Sequence, residues 1–212
     1  MVQAVLFDAD GVLVDACELH YVALNRALAT MGWNISREEH ENIYNGLPTA
    51  KKLQMLSDTK SFPSDWHKAV HDLKQEFTIA AIDECLTPDL SKRELIADLK
   101  SQGILVGVCS NSLRKTLRKM LVSIGVNDLV DLAIGNDDVV NPKPAPDMYL
   151  QAAALLDVPI GRCLIVEDSE VGLQAAYAAQ PLEVIEVSGP AEVNLSLLKR
   201  FERHLGVVKE AA

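Results

Sequence analysis

The sequence predicts an α/β fold: a parallel sheet with helices, interrupted after its first strand by an all-helical insertion. Two observations carry this. Short runs rich in Val, Ile and Leu, suited to strands buried on both faces, alternate with helical patterns along most of the chain. Alternation of this kind indicates a parallel sheet. It fails only between Phe7 and Ile104, where helical patterns follow one another with no buried strand between them.

In chain order, Ala4–Phe7 is the first strand. Helical patterns then cover 18–31, 36–44, 48–57 and 64–83. In the first of them Leu19, Val22, Ala23, Ala27 and Leu28 recur at close to helical spacing. Pro63-Ser64-Asp65 is a helix start and Leu86-Thr87-Pro88-Asp89 a break. The alternation then resumes. Strands are expected at Ile104–Cys109, Leu132–Ile134, Cys163–Val166 and Leu182–Val187, with helices near 91–102, 112–124, 145–156 and 169–179. The expected division is a catalytic core of 1–14 and 88–212 with an inserted helical domain of 15–87.

Composition excludes several classes. The chain has 212 residues, 49% hydrophobic and 24% charged, which is an ordinary folded globule. Its net charge of −10 and 5% aromatic content argue against a nucleic-acid partner, which needs clustered basic charge and stacking rings. No apolar run approaches the ~18 residues of a membrane span, and the N-terminus lacks the basic region of a signal peptide. Cys17, Cys85, Cys109 and Cys163 are dispersed, without a C-x-x-C pair. Free thiols and a cytoplasmic location are therefore expected. A monomer is the expected state, with a dimer as the alternative.

In open parallel sheets, ligands bind beyond the carboxyl ends of the strands. Those ends carry Asp8 and Asp10, then Ser110 and Asn111, then Glu167 and Asp168, with Lys143 in the loop Asn141-Pro142-Lys143-Pro144-Ala145-Pro146. Singly, each reads as a solvated turn or a helix cap. Four such signals at one sheet edge read as a site. Converging carboxylates repel one another, and a divalent cation relieves that. Oxygen ligands without His or Cys favour Mg²⁺, which keeps positions open for water and a phosphate. Lys143 and Ser110 complete an array suited to phosphoryl transfer.

The segment Val5-Leu6-Phe7-Asp8-Ala9-Asp10-Gly11-Val12-Leu13-Val14-Asp15 resembles the first motif of the haloacid dehalogenase (HAD) superfamily. Ser110-Asn111, Lys143 in Lys-Pro-Ala-Pro-Asp, and Glu167-Asp168-Ser169 resemble its second, third and fourth motifs, in the same order. The resemblance implies a Rossmann-like, HAD-like core whose insertion is the cap of the beta-phosphoglucomutase-like subgroup. It implies Asp8 as the nucleophile that forms an aspartyl phosphate. It implies Asp10 as general acid and then general base. Mg²⁺ is then held by Asp8, the Asp10 backbone carbonyl and Asp168, with Glu167 either a ligand or a support for the ligands. Ser110 and the Asn111 N–H grip the phosphate, and Lys143 pairs with both Asp8 and the phosphate. Dehalogenases of the superfamily lack the second aspartate, so Asp10 favours phosphate esters.

The cap is expected to set specificity through Glu18, His20, Gly46, Thr49 and Lys51. A hexose-phosphate mutase of the subgroup needs a second phosphate site there, usually with an Arg where this chain has Thr49. Hydrolysis of a small sugar or polyol phosphomonoester is therefore preferred, with the mutase as the alternative. A phospho-acceptor signalling module is a further reading, disfavoured by the insertion. Where relatives commonly end the helix after the fourth motif with Ala-Gly, this chain has Ala179-Gln180-Pro181.

Overall fold

The computed structural model describes residues 1–205; residues 206–212 of the expected core segment lie outside them. The sheet has five parallel strands in the order β3-β2-β1-β4-β5: β1 (Ala4–Asp8), β2 (Leu105–Cys109), β3 (Leu132–Ile134), β4 (Cys163–Glu167) and β5 (Glu183–Glu186). β1 is central and every residue of it is buried. Its side chains alternate between two apolar clusters. Val5 and Phe7 pack with Val106, Val108, Leu95 and Leu117 on one face, and Ala4 and Leu6 with Ile165, Met148 and Ala152 on the other.

Helices α1 (Cys17–Ala29), α2 (Arg37–Glu39), α3 (Thr49–Lys60) and α4 (His67–Cys85) fall between β1 and the rest of the sheet. They enclose an apolar cluster of their own, in which Leu24, Leu28, Tyr44, Leu53, Leu56, Phe62 and Val70 are buried. The single helix expected over 36–44 is instead a capped α-helical turn that runs into a π-helical turn, His40–Tyr44. Helices α5 (Leu90–Ser101), α6 (Arg114–Ser123), α7 (Asp147–Leu155) and α8 (Glu170–Ala179) connect the remaining strands. α6 starts two residues later than expected. The Ser110 and Ser112 hydroxyls are engaged elsewhere, and the first N–H of α6 is donated to Asp137 Oδ1 at 2.7 Å.

One segment adds to the expected elements, and one expected departure takes a definite form. After β5 the chain passes through short 3₁₀ turns into α9 (Leu198–Leu205), where the His204 carbonyl accepts the Val2 N–H at 3.1 Å. Buried Val193 and Leu197 join the core from this segment. At the end of α8, Gln180 takes the left-handed conformation (φ 56°, ψ 55°) that glycine usually supplies. A Gln180→Gly variant is expected to be more stable by ~0.5–1 kcal/mol, because the Cβ penalty of that conformation disappears. The urea midpoint measures this, and an unchanged or lower midpoint contradicts it. Among the described residues, no helix is long and apolar enough to cross a membrane.

Candidate active site

The sheet register assembles the site. Asp8 pairs with Cys109 across β1 and β2, and Phe7 with Val166 across β1 and β4. The strand ends therefore deliver Asp8, Ser110 and Glu167 to one edge. After β1 the chain turns back on itself, with Leu13 and Val14 N–H groups donating to the Ala9 carbonyl. Gly11 makes this turn at φ +92°, and a Cβ there would lie 2.0 Å from Asp168 Oδ2. Only glycine permits both the backbone conformation and the close approach.

Lys143 is the centre of the buried charge. Its ammonium donates to Asp8 Oδ1 at 2.5 Å, to Glu167 Oε1 at 2.5 Å and to the Cys109 carbonyl at 3.0 Å. Burial alone disfavours the charged lysine, but the two carboxylates outweigh it and raise its pKa. The Asp8 carboxyl is pushed up by burial, opposed by Lys143 and reinforced by Glu167 and Asp10. Glu167 has further partners: the Tyr149 hydroxyl donates to Oε1 at 2.7 Å, and the Asp168 N–H to Oε2 at 3.0 Å. Tyr149 is fully buried, with the Lys143 ammonium 4.8 Å from its ring centre.

Asp8, Glu167 and Asp168 each bring a carboxylate oxygen within 4.8 Å of the others. Asp168 Oδ1 is buried without a hydrogen-bond partner, and burial plus the Glu167 charge lift the Asp168 pKa to about 6. An orphaned carboxylate oxygen beside other carboxylates, with no His or Cys, fits a hard divalent cation. Asp8 and Asp168 are the better donors, because both Glu167 oxygens already accept hydrogen bonds.

Asp10 has a different setting. The Ser110 hydroxyl donates to its Oδ2 at 2.7 Å, and His20 Nε2 lies 2.9 Å from Oδ1. His20 Nδ1 faces the Lys74 ammonium at 3.2 Å, so the ring proton belongs on Nε2, toward Asp10. Burial pushes Asp10 up, but His20, Ser110 and the Lys74 charge prevail and hold it well below the ordinary carboxylate range. His20 is lowered by burial and Lys74, against the pull of Asp10.

These groups line a cavity of about 330 Å³ between the strand ends and the inserted helices. Asp8, Asp10, Asn111, Lys143 and Asp168 form its floor, and His20, Gly46 and Thr49 line it from the inserted helices and their loop. Two expected specificity residues stand elsewhere. Glu18 is exposed and forks onto Arg37 at 2.5 and 3.0 Å. Lys51 is exposed and lines no part of the cavity, because a helix turns adjacent residues ~100° apart.

Lys52 and Lys74 are the lysines that line the cavity from the inserted helices. Burial lowers Lys52 to about 8, and burial with repulsion from Lys52 lowers Lys74 to about 7. A signal for both was present. Thr49, Lys52, Leu53 and Leu56 form an i, i+3, i+4, i+7 stripe on α3, and Lys74 falls between Val70 and Thr78 on the buried stripe of α4. A lysine on an apolar stripe either pairs or faces a ligand.

Behind them His40 is 1% exposed, and neither ring nitrogen has a partner. Burial, then Lys52, His20 and Lys74, hold its pKa near 4, against Glu18. In the unfolded chain the ring titrates near ~6.5. His40 therefore costs no stability above about that pH, and from there down toward pH 4 the unfolded chain takes up a proton that the fold refuses. A His40→Phe variant is expected to lose on the order of 3 kcal/mol less between those limits than the wild type, read from denaturant midpoints against pH. Parallel pH profiles contradict this.

Comparisons with known proteins agree with the geometry. The profile of the haloacid dehalogenase-like hydrolases matches residues 5–185. Protein CbbY of Cereibacter sphaeroides is 32% identical over 189 residues, covering 84% of this chain and 81% of CbbY. Hexitol phosphatase B of Escherichia coli K12 is 31% identical over 186 residues, covering 86% and 82%. A crystal structure of a CbbY mutant from Rhodobacter sphaeroides in complex with xylulose-1,5-bisphosphate superposes with a TM-score of 0.80 at 28% identity, covering 92% of this chain and 91% of that one. The family profile spans most of the chain and the curated relatives match it along more than four-fifths of its length, so the chain belongs to the haloacid dehalogenase-like hydrolase family.

Proposed function

We propose that this protein is a Mg²⁺-dependent phosphatase of small sugar or polyol phosphomonoesters, working through an aspartyl phosphate. The observation that carries the reading is the pair of aspartates two residues apart in opposite settings. Asp8 is bonded to Lys143 beside an orphaned carboxylate oxygen, and Asp10 is held across the cavity by His20 and Ser110. One carboxylate is placed to attack and the other to handle protons.

In the first step an Asp8 oxygen forms a bond to phosphorus, the bond from phosphorus to the ester oxygen breaks, and Asp10 gives that oxygen a proton. In the second, Asp10 takes a proton from water as the water oxygen attacks phosphorus, which frees Asp8 and releases inorganic phosphate. A proton on Asp10 for the first step is favoured by the phosphate's own negative charge, which raises neighbouring carboxylates. His20 keeps Asp10 oriented between the steps, and Ser110 fixes its second oxygen. Asp8 and Asp168 would hold a divalent cation, which would supply positive charge to the phosphoryl oxygens when bound. The relatives named for a hexitol phosphatase activity and solved with a sugar bisphosphate support the substrate class.

One observation favours a second reading. Lys52 and Lys74 give the cap side of the cavity two buried amines beside a single carboxylate, Asp10, whose own partners are His20, Ser110 and Ser112. Substrates with a second anionic group suit that arrangement, including the bisphosphate intermediate of a mutase. The test is a phosphomonoester and bisphosphate panel with and without Mg²⁺. The phosphatase reading expects released phosphate that falls to background with EDTA. Interconversion of hexose 1- and 6-phosphates without net phosphate release selects the mutase. No turnover of either kind overturns both.

A further inference from the structure

We infer that the Asn111 carboxamide is the tie that holds the cap loop over the catalytic floor. It makes Asn111 a positioning residue through its side chain, separate from any contact of its backbone N–H with phosphate. Only the phosphate-linked part of the inference rests on the reading above.

The Asn111 Nδ2 group donates to the Gly46 carbonyl at 2.9 Å and to the Lys143 carbonyl at 3.2 Å, while its Oδ1 accepts the Lys143 N–H at 3.1 Å. The orientation of the amide is dictated. The Lys143 N–H requires an acceptor and the two carbonyls require donors, so only one of its two flips satisfies all three. Asn136 fixes the Asn111 carbonyl from behind at 2.8 Å. One side chain thus joins the turn after β2, the loop that carries Lys143 and the cap loop at Gly46. Lys143 in turn holds Asp8. Among the described residues this is the hydrogen bond that ties the 45–48 loop to the core. The remaining cap–core bonds lie on α1 and α4: His20 to Asp10 and Ser112, Gln75 with Thr116, and the Asp83–Lys119 ion pair. Gly46 sits at φ +72°, so the loop conformation that presents this carbonyl is one other residues rarely adopt.

Cys17 makes the tie testable without turnover. It lines the cavity and is half-buried, whereas Cys109 and Cys163 are buried and Cys85 is exposed. In a Cys85→Ser background, the rate of Cys17 alkylation by iodoacetamide reports opening of the cap. Asn111→Ala is expected to raise that rate about fivefold, the shift that loss of one hydrogen bond gives an opening equilibrium. Asn111→Asp is expected to raise it further, because an isosteric carboxylate has no proton for the two carbonyls and repels them. If the alanine variant melts near the labelling temperature, the aspartate variant decides. Wild-type labelling rates in the folded variants overturn the tie.

Inorganic phosphate with Mg²⁺ adds a second arm. It is expected to slow Cys17 labelling in the wild type and to do so less in both variants. If it has no effect on the wild type while the variants still label faster, the phosphate reading fails and the tie stands. With a turned-over phosphomonoester, the variants are expected to raise KM more than they lower kcat, because the tie shapes the closed cavity rather than the reacting atoms.

Discussion

An Asp8→Asn variant is expected to lose turnover by more than about 10⁴-fold, because an amide oxygen neither attacks phosphorus well nor leaves as a carboxylate. The fold should survive. Asparagine fills the same space at the end of the central strand, and its amide oxygen can still accept from Lys143, which keeps Glu167 as its counter-charge. Circular dichroism and an unchanged number of unfolding transitions verify that. Turnover within tenfold of wild type would remove Asp8 from the mechanism. The same variant removes a donor from the proposed cation site, so its Mg²⁺ affinity, measured by calorimetry, is expected to fall as well.

An Asp10→Asn variant is expected to behave differently, and the difference separates the two aspartates. Its loss of turnover on alkyl phosphates is about 10²–10⁴-fold, the range for one general acid–base group. On p-nitrophenyl phosphate the leaving group needs no proton, so the first step should persist while hydrolysis of the phosphoenzyme slows. The expected result is a burst of nitrophenolate close to one equivalent of enzyme, followed by a slow steady state. Equal losses on both substrates without a burst would show that Asp10 does not divide its work this way. Asp10 is bonded to His20 and to two serine hydroxyls. The amide can keep part of that network, so a loss of activity with a normal melting profile is not a folding effect.

The sheet was legible because its strands are buried on both faces, and continuous Val/Ile/Leu runs have few other solutions. The chemistry of the floor was legible for a related reason. Asp8, Ser110, Glu167 and Asp168 follow directly on such runs, so the sequence position of each is also its position at the strand edge. The cap was harder. Its helices were found, but the direction of each side chain depends on helix phase. Lys51 and Lys52 are adjacent in sequence and opposite in environment. Glu18 points away from the cavity and pairs with Arg37. His40 is a polar group on a buried face, and a hydrophobicity pattern reads it only as an interruption. Tyr149 falls inside the helix expected near 145–156, and its hydroxyl matters only because β4 brings Glu167 within 2.7 Å of it. Leu198, Phe201 and Leu205 of α9 recur at helical spacing, but eight residues are too short a run for that spacing to announce a helix.

A primary ammonium owns three N–H donors, and Lys143 has already assigned them: one to Asp8, one to Glu167, one to the Cys109 carbonyl. A phosphoryl oxygen that reaches Lys143 must displace one of these partners. The Cys109 carbonyl is fixed in the backbone, and Glu167 is pinned by Tyr149 and the Asp168 N–H. Of these three partners Asp8 alone changes its charge during the proposed cycle, becoming a weak acceptor when esterified. The exchangeable donor is therefore the one on Asp8, and turnover would pass a single N–H from the nucleophile to the phosphoryl group and back.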